Sequence, residues 1–341
     1  MRNLLYRLLN VAAPSGYEDA VQSVFCEEIN AYVDRIDKDA MGNAIAIKRG
    51  PEDAPKVMLS AHCDEVGFLI CYIDENGYLY LQPIGGVDAE LLPGRKVIIT
   101  TSNGIIEGVI GKKAIHLIHG EEKKKLDVSD VWLDIAASSR EEAEKLVQIG
   151  DFVTFAKDSI FYNNELVASS STDDRIGLLT LIETARILKD RQLNCTVYFV
   201  SSCQEELGAR GAKTAADIIR PDIGIAIDVT HATDYPTAEV KQSGNIGVGK
   251  GPVIALGPNI NMAVCRGLKN AAQEFPVQYE VIARPTGTDA NVIQLSSGGV
   301  KTALVSIPCR YMHTPCEVVS IADARCTAQL LANYLFDTFS I

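Results

Sequence analysis

The sequence predicts an α/β protein in which a mixed, largely parallel sheet flanked by helices carries a small inserted β-barrel domain. Two changes of texture along the chain lead there. From about residue 166 onward, short apolar runs alternate with helical patterns, as parallel strands covered on both faces do. Between about 70 and 165 the chain instead reads as short alternating strands separated by turn signals, the pattern of a small antiparallel barrel or sandwich. Length agrees with both. At 341 residues the chain exceeds what one hydrophobic core usually needs, so a large domain plus a smaller one is expected.

The elements follow in order. In residues 1–13, Arg7 and Asn10 interrupt the leucines, so this segment reads as an amphipathic helix of the folded protein rather than a secretory leader. Residues 20–33 place Val21, Val24, Phe25, Ile29 and Val33 at helical spacing, 43–47 alternates as a strand, and 56–61 is a nearly continuous apolar strand of the buried kind. In the insert, Glu75-Asn76-Gly77, Ser102-Asn103-Gly104 and Asn163-Asn164 mark turns; Asn-Gly is favoured where both central residues need positive φ. Ser139 and Glu142 predict a capping box ahead of a helix through Ala143, Leu146 and Val147. Beyond the insert the reading is helix 176–188, strand 196–201, helix 208–219, strand 223–227, helix 260–274 and strand 277–283. A last strand over 302–307 then leads to a final helix that Ser320 can cap and that passes Leu330, Leu331 and Leu335.

Composition removes several classes of function. The chain has 44 acidic and 32 basic residues, a formal charge of −12, so a nucleic-acid partner is not expected. The one basic run, Lys123-Lys124-Lys125, follows Glu121 and Glu122 and reads as a solvated turn. No apolar run approaches the roughly 18 to 20 residues that span a bilayer, so no membrane partner is expected either. Nine cysteines without a Cys-x-x-Cys pair fit neither a disulfide framework nor a zinc ribbon, and a cytoplasmic location with reduced thiols follows.

Polar residues concentrate where the buried strands end. The strand at 56–61 runs into His62-Cys63-Asp64-Glu65, and the strand at 196–201 into Cys203-Gln204-Glu205-Glu206. Gly-Ile-Ala-Ile ends in Asp228, and the last strand leads through Cys309-Arg310-Tyr311-Met312 to His313. Ligands in open α/β sheets sit just beyond the carboxyl ends of the strands, so these groups are placed to converge. Asp173-Asp174-Arg175, ahead of an apolar helix, is a fifth candidate. Imidazole and carboxylate donors suit zinc, cobalt or manganese, and Asp173, Glu206 and Asp228 offset most of the charge of two divalent ions. A carboxylate that holds no metal must then move the proton of the attacking water, and Glu205 is placed for that role.

Each residue has a plainer reading. Asp173 could cap its helix, His62 could be a hydrogen-bonded core histidine, and Glu205-Glu206 could open a solvated helix. Asp228 could belong to a turn and His313 to a loop. Convergence of all five on one edge favours the metal site. His116 and His119 read as structural, and His231, in a polar loop, is not expected to bind metal. Gly287-Thr288-Asp289 reads either as a helix start capped by Asp289 or as lining of a substrate pocket. No nucleotide-binding loop, His-Glu-x-x-His or Gly-x-Ser-x-Gly occurs.

Taken in order, His62-x-Asp64-Glu65-x-Gly67-Phe68, Asp173-Asp174-Arg175-x-Gly177, Gln204-Glu205-Glu206-x-Gly208, Asp228, Gly287-Thr288-Asp289 and Arg310-Tyr311-Met312-His313-Thr314-Pro315 resemble the tetrahedral (TET-type) metallo-aminopeptidases, which include glutamyl, deblocking and leucyl aminopeptidases. The resemblance runs from Pro14-Ser15-Gly16-Tyr17-Glu18 to the last helix. It implies a sheet of the metallo-exopeptidase type and two divalent ions per subunit on His62, Asp173, Glu206, Asp228 and His313, with Asp173 shared. It further implies Glu205 as general base and Asp64 as the group that orients His62. Residues 1–67 and 166–341 would form the catalytic domain and 68–165 an inserted dimerisation domain, with peptides as substrates and self-association of dimers into a dodecamer. Some members of that family are labelled endoglucanases. A glycosidase using two carboxylates and a non-catalytic peptide-binding homologue are therefore the competing expectations.

Overall fold

A computed structural model describes residues 1–117, 125–163, 165–272 and 275–340. His119, Lys123, Lys124 and Asn164, to which expectations were attached, lie outside the described residues. An eight-stranded sheet runs in the order Arg35–Lys38, Ala44–Lys48, Thr196–Ser202, Lys56–His62, Ile223–His231, Lys301–Cys309, Val253–Leu256 and Gln278–Val281. Its middle four strands are mutually parallel. Antiparallel pairing appears toward both sides, where Ala44–Lys48 meets Thr196–Ser202 and Val253–Leu256 meets Lys301–Cys309. The sheet is mixed and largely parallel where the site lies, as the strand–helix alternation predicts.

The helix Thr172–Leu188 is buried nearly all round, in keeping with the strongly apolar run from Ile176 to Leu188. It packs between the sheet and the final helix Ile321–Phe339, whose first turn Ser320 caps by accepting from the Ala322 N–H at 3.2 Å. On the opposite face Arg210–Ile219 and Asp289–Gln294 cover Ile45, Met58 and Val200. The amphipathic segment at the start forms the helix Arg2–Leu9, burying Leu5, Leu8 and Leu9.

Six antiparallel strands between Gly67 and Phe155 close into a barrel, which settles the choice between barrel and sandwich. Inward alternation fills it with Phe68, Ile70, Leu79, Val97, Ile99, Leu133, Val153 and Phe155. Both Asn-Gly signals form hairpins. Asp74 accepts from the Asn76 and Tyr78 N–H groups at 2.9 Å, with Gly77 at φ +87; Ser102–Gly104 joins Lys96–Thr101 to Gly104–Gly111. The capping box is shifted. Ser139 accepts from the Glu142 N–H, but the Glu142 carboxylate takes the Ser138 N–H at 2.8 Å instead of that of Ser139, and only Arg140–Ala143 is helical.

Two strands run past their predicted ends. Ile223–His231 and Lys301–Cys309 pair in parallel along nine positions, from Ile223 opposite Lys301 to His231 opposite Cys309. Asp228 therefore sits within a strand, fixed by its ladder, and not in a turn after it. A strand with no sequence signal, Glu317–Ser320, pairs with Leu166–Ser169, which in turn pairs with Ile160–Phe161.

Candidate metal centre and the surrounding cavity

The five candidate ligands meet. His62 Nε2 lies 3.0 Å from Asp173 Oδ1 and 3.9 Å from Asp228 Oδ1. On the other side, His313 Nε2 lies 3.3 Å from Asp173 Oδ2 and 3.4 Å from Glu206 Oε1. Donor atoms within each of the trios His62–Asp173–Asp228 and Asp173–Glu206–His313 fall within 4.8 Å of one another, and Asp173 belongs to both. It is not the helix cap: Asp174 accepts from the Gly177 N–H at 3.0 Å, while the two Asp173 oxygens face the two imidazoles.

Carboxylates behind the ligands hold them in place. Asp64, wholly buried, accepts from Ser15 Oγ at 2.6 Å and from the Glu205 and Glu206 N–H groups at 3.0 and 3.1 Å. Its Oδ1 also lies 3.5 Å from His62 Nδ1, which leaves Nε2 turned toward Asp173. One side chain thus sets the imidazole and the turn carrying two glutamates. Asp64→Asn puts an amide donor against one of those N–H groups. We expect a loss of about 2 kcal/mol in denaturant unfolding and of about 10- to 100-fold in ion affinity, measured by chelator competition.

Glu317, which sequence reasoning missed, plays the matching part on the other side. It accepts from the Asp173 N–H at 3.0 Å, Thr172 Oγ1 at 2.9 Å and the His313 N–H at 2.9 Å. His313 itself is held at φ +60, a costly region for a non-glycine residue, and this last bond helps keep it there. A third buried acid, Glu65, takes Lys157 and Arg175, with Arg175 Nη2 at 3.3 Å. Burial lowers the Lys157 pKa, while Glu65 opposes that shift.

With these basic groups committed to Glu65, no lysine or arginine pairs with Asp173, Glu206 or Asp228 among the described residues. Burial pushes the Glu206 carboxyl up from 4.5 to about 7, raises Glu317 from 4.5 to about 8, and raises Asp228 well above its usual range. The hydrogen bond to Asp173 lifts His313 from 6.5 to about 9. Among the described residues no lysine or arginine offsets these acids, and the mixed nitrogen and oxygen donors are those that zinc, cobalt or manganese take. The residues fit divalent ions.

A pH dependence follows for the protein stripped of divalent ions. Above pH 4.5 the folded state keeps protons on Glu206 and Glu317 that the unfolded chain has released, so this contribution to stability shrinks as pH climbs toward 7 and 8. The His313 contribution is complete below 6.5 and disappears as pH passes 9, so both run the same way. Thermal midpoints should therefore fall between about pH 5 and about pH 8. Added zinc or cobalt should raise the midpoint most at the upper pH and release protons on binding. A stripped protein with equal midpoints at both would contradict this.

The candidate ligands open onto a cavity of about 620 Å³ that Glu205, Gly287 and Thr288 also line. Asp289 does not line it. Its carboxylate is buried under the sheet edge, accepting from Ser60 Oγ at 2.7 Å and Ser202 Oγ at 2.5 Å. Nor does Asp289 cap its helix: Thr288 does, through the Ala290 N–H at 3.3 Å. His231 ends its strand exposed and lines the cavity, while His116 is exposed on the insert. The barrel contributes too, since Gly85 and Gly86, just beyond Leu79–Ile84, pack against Glu206 and His313.

Comparison with known proteins agrees with this fold. A family model described as M42 glutamyl aminopeptidase matches residues 42–330, and the chain belongs to that family. It is a peptidase, a hydrolase of the aminopeptidase class. Lysyl aminopeptidase of Pyrococcus furiosus is 38% identical, covering 96% of this chain and 94% of the relative. A TET aminopeptidase from a marine sediment thaumarchaeote superposes with a TM-score of 0.93 at 30% identity, covering 98% of this chain and 95% of that one. The Pyrococcus horikoshii TET1 peptidase, described as assembling into a tetrahedron or a large octahedral shell, gives 0.88 at 32% identity, covering 98% and 99%. A Thermotoga maritima protein described as an endoglucanase gives 0.78 at 28% identity, covering 97% and 96%.

Proposed function

We propose that the chain is a two-metal aminopeptidase in which His62, Asp173 and Asp228 hold one divalent ion and Asp173, Glu206 and His313 the other. The observation that carries this is Asp173, which offers one oxygen to each of two His–carboxylate groups. Zinc or cobalt suits the donors best, and manganese is also compatible. Bound there, the ions would acidify a water and polarise the scissile carbonyl.

The chain's own groups do the rest. Glu205 belongs to neither trio and lines the cavity, so its carboxylate is free to carry a proton. As the water oxygen attacks the carbonyl carbon, one proton passes to Glu205. The same proton then goes to the nitrogen of the departing chain as the C–N bond breaks, releasing a free amino acid and a shortened peptide. Burial, reinforced by the charges of Asp228, Asp289 and Glu206, pushes the Glu205 carboxyl up to about 10 without ions. Nearby cations bring it back toward the ionised form that a base needs. Asp64 positions both His62 and the Glu205–Glu206 turn.

Residues 68–165 serve as the dimerisation domain in this reading, and dimers build a dodecamer. Ile105, Val109, Ile115 and Leu117 are exposed on the insert, which supports an apolar contact there. Among the described residues no helix is long and apolar enough to cross a membrane, and we place the protein in the cytoplasm. The test is an assay. Chelator-sensitive release of amino acid from aminoacyl-4-nitroanilides supports the peptidase, whereas metal-independent release of reducing sugar would favour the glycosidase. Two imidazoles in the site weigh against the latter, since sugar hydrolysis by paired carboxylates has no use for them.

A further inference from the structure

We propose that Glu280 makes this cavity select N-terminal residues with a cationic side chain, lysine or arginine. The inference rests on the aminopeptidase reading and narrows its substrate class.

The candidate metal ligands share the cavity lining with Leu304, Ser306, Thr230, Glu280 and Ile282. Register puts Thr230, Leu304 and Ser306 beside Asp228. Asp228 stands opposite Ser306 in the parallel ladder, and Thr230 and Leu304 lie two residues from one or the other, so all four share one face of the sheet. A substrate whose first carbonyl lies at the ions therefore extends its first side chain over Leu304 and Ser306 toward Glu280.

Three features there describe the guest. Glu280, partly buried on the edge strand Gln278–Val281, accepts from Thr230 Oγ1 at 2.8 Å through Oε2. That bond fixes the carboxylate while no lysine or arginine pairs with it among the described residues. Ser306 also lines the cavity, is 1% exposed, and its Oγ has no hydrogen-bond partner among the described residues, so a guest carrying a donor would satisfy it. Between these polar points Leu304 and Ile282 offer apolar surface, which suits the methylene stem of a lysine or arginine. Arg284 lines the same cavity and would favour the opposite charge, but it is exposed, where water and salt screen it. The partly buried acid outweighs the exposed base.

The experiment compares kcat/KM for the 4-nitroanilides of lysine, arginine, leucine and glutamate, with divalent ion added. Lysine and arginine should exceed leucine by about tenfold or more, with glutamate lowest. Glu280→Gln keeps the shape and the Thr230 hydrogen bond but loses the charge, so the lysine-to-leucine ratio should fall by about 10- to 100-fold. Glu280→Arg should move preference toward glutamate, and Ser306→Ala should lower the ratio by a smaller factor. Leucine ahead of lysine in the unaltered enzyme, or a ratio unmoved by Glu280→Gln, would overturn the proposal. A glutamate preference that Arg284→Gln abolishes would assign the pocket to Arg284 instead. If no anilide is cleaved with any ion, the aminopeptidase reading fails on its own account, and calorimetric binding of lysinamide against leucinamide then reads the pocket. Tighter lysinamide binding that is lost in Glu280→Gln supports the proposal; equal binding of the two overturns it.

Discussion

Glu205→Gln should lower kcat by about 10²- to 10⁴-fold while leaving the metal content of the protein unchanged. The two readouts separate because Glu205 lies in neither ligand trio, whereas Glu206, the next residue, lies in one. Glutamine fills the same space, so the backbone turn that Asp64 holds through the Glu205 and Glu206 N–H groups should survive. What disappears is a carboxylate able to take a proton from water and return it to the leaving amine. Elemental analysis alongside steady-state kinetics decides the matter. A variant within about tenfold of the parent would remove Glu205 from the role of base, and a variant that loses metal would make it a ligand.

Asp173→Asn should have the larger effect on metal. Its two oxygens face different imidazoles, His62 at 3.0 Å and His313 at 3.3 Å, and an amide can offer an acceptor to only one of them. Both ions should bind weakly, and activity should fall to background. Glu206→Gln removes a ligand from the second trio alone, so one ion should remain. Titration of the stripped proteins with zinc, followed by gel filtration and elemental analysis, compares the two. Equal metal content in the two variants would show that Asp173 is not shared.

Much of this site could be read from residues alone, for a physical reason. The strands carrying His62, Glu206, Asp228 and His313 are buried on both faces, so their sequences are apolar until they reach the sheet edge. A polar group at that point stands out. Glu317 gave no such contrast. It opens a four-residue strand that pairs with Leu166–Ser169, a partner about 150 residues earlier, and is buried by elements distant in sequence. Lys157 was equally silent, since a lone lysine after the barrel reads as surface until Glu65 and Ser171 are seen around it. Asp289 misled in another way. A Thr-Asp pair ahead of a helix offers two possible caps, and only the serines at 60 and 202, distant in sequence, draw the aspartate inward and leave the cap to Thr288. The strand ends of Asp228 and His313 were drawn too short, because polar residues that normally close a strand here continue it, each ladder supporting the other.

The pairing of Ser169 with Glu317 works as a caliper. Asp173 follows the first of these residues by four positions and His313 precedes the second by four, and both belong to the trio that Glu206 completes. The spacing within that trio is thus gauged by a ribbon of four residue pairs. A slip of one residue along it would move the jaws by about 3.4 Å, as much as the whole gap of 3.3 Å between the imidazole nitrogen and the carboxylate oxygen. Lengthening the chain between Cys309 and His313 leaves this gauge intact, whereas a residue inserted between Leu166 and Ser169 resets it.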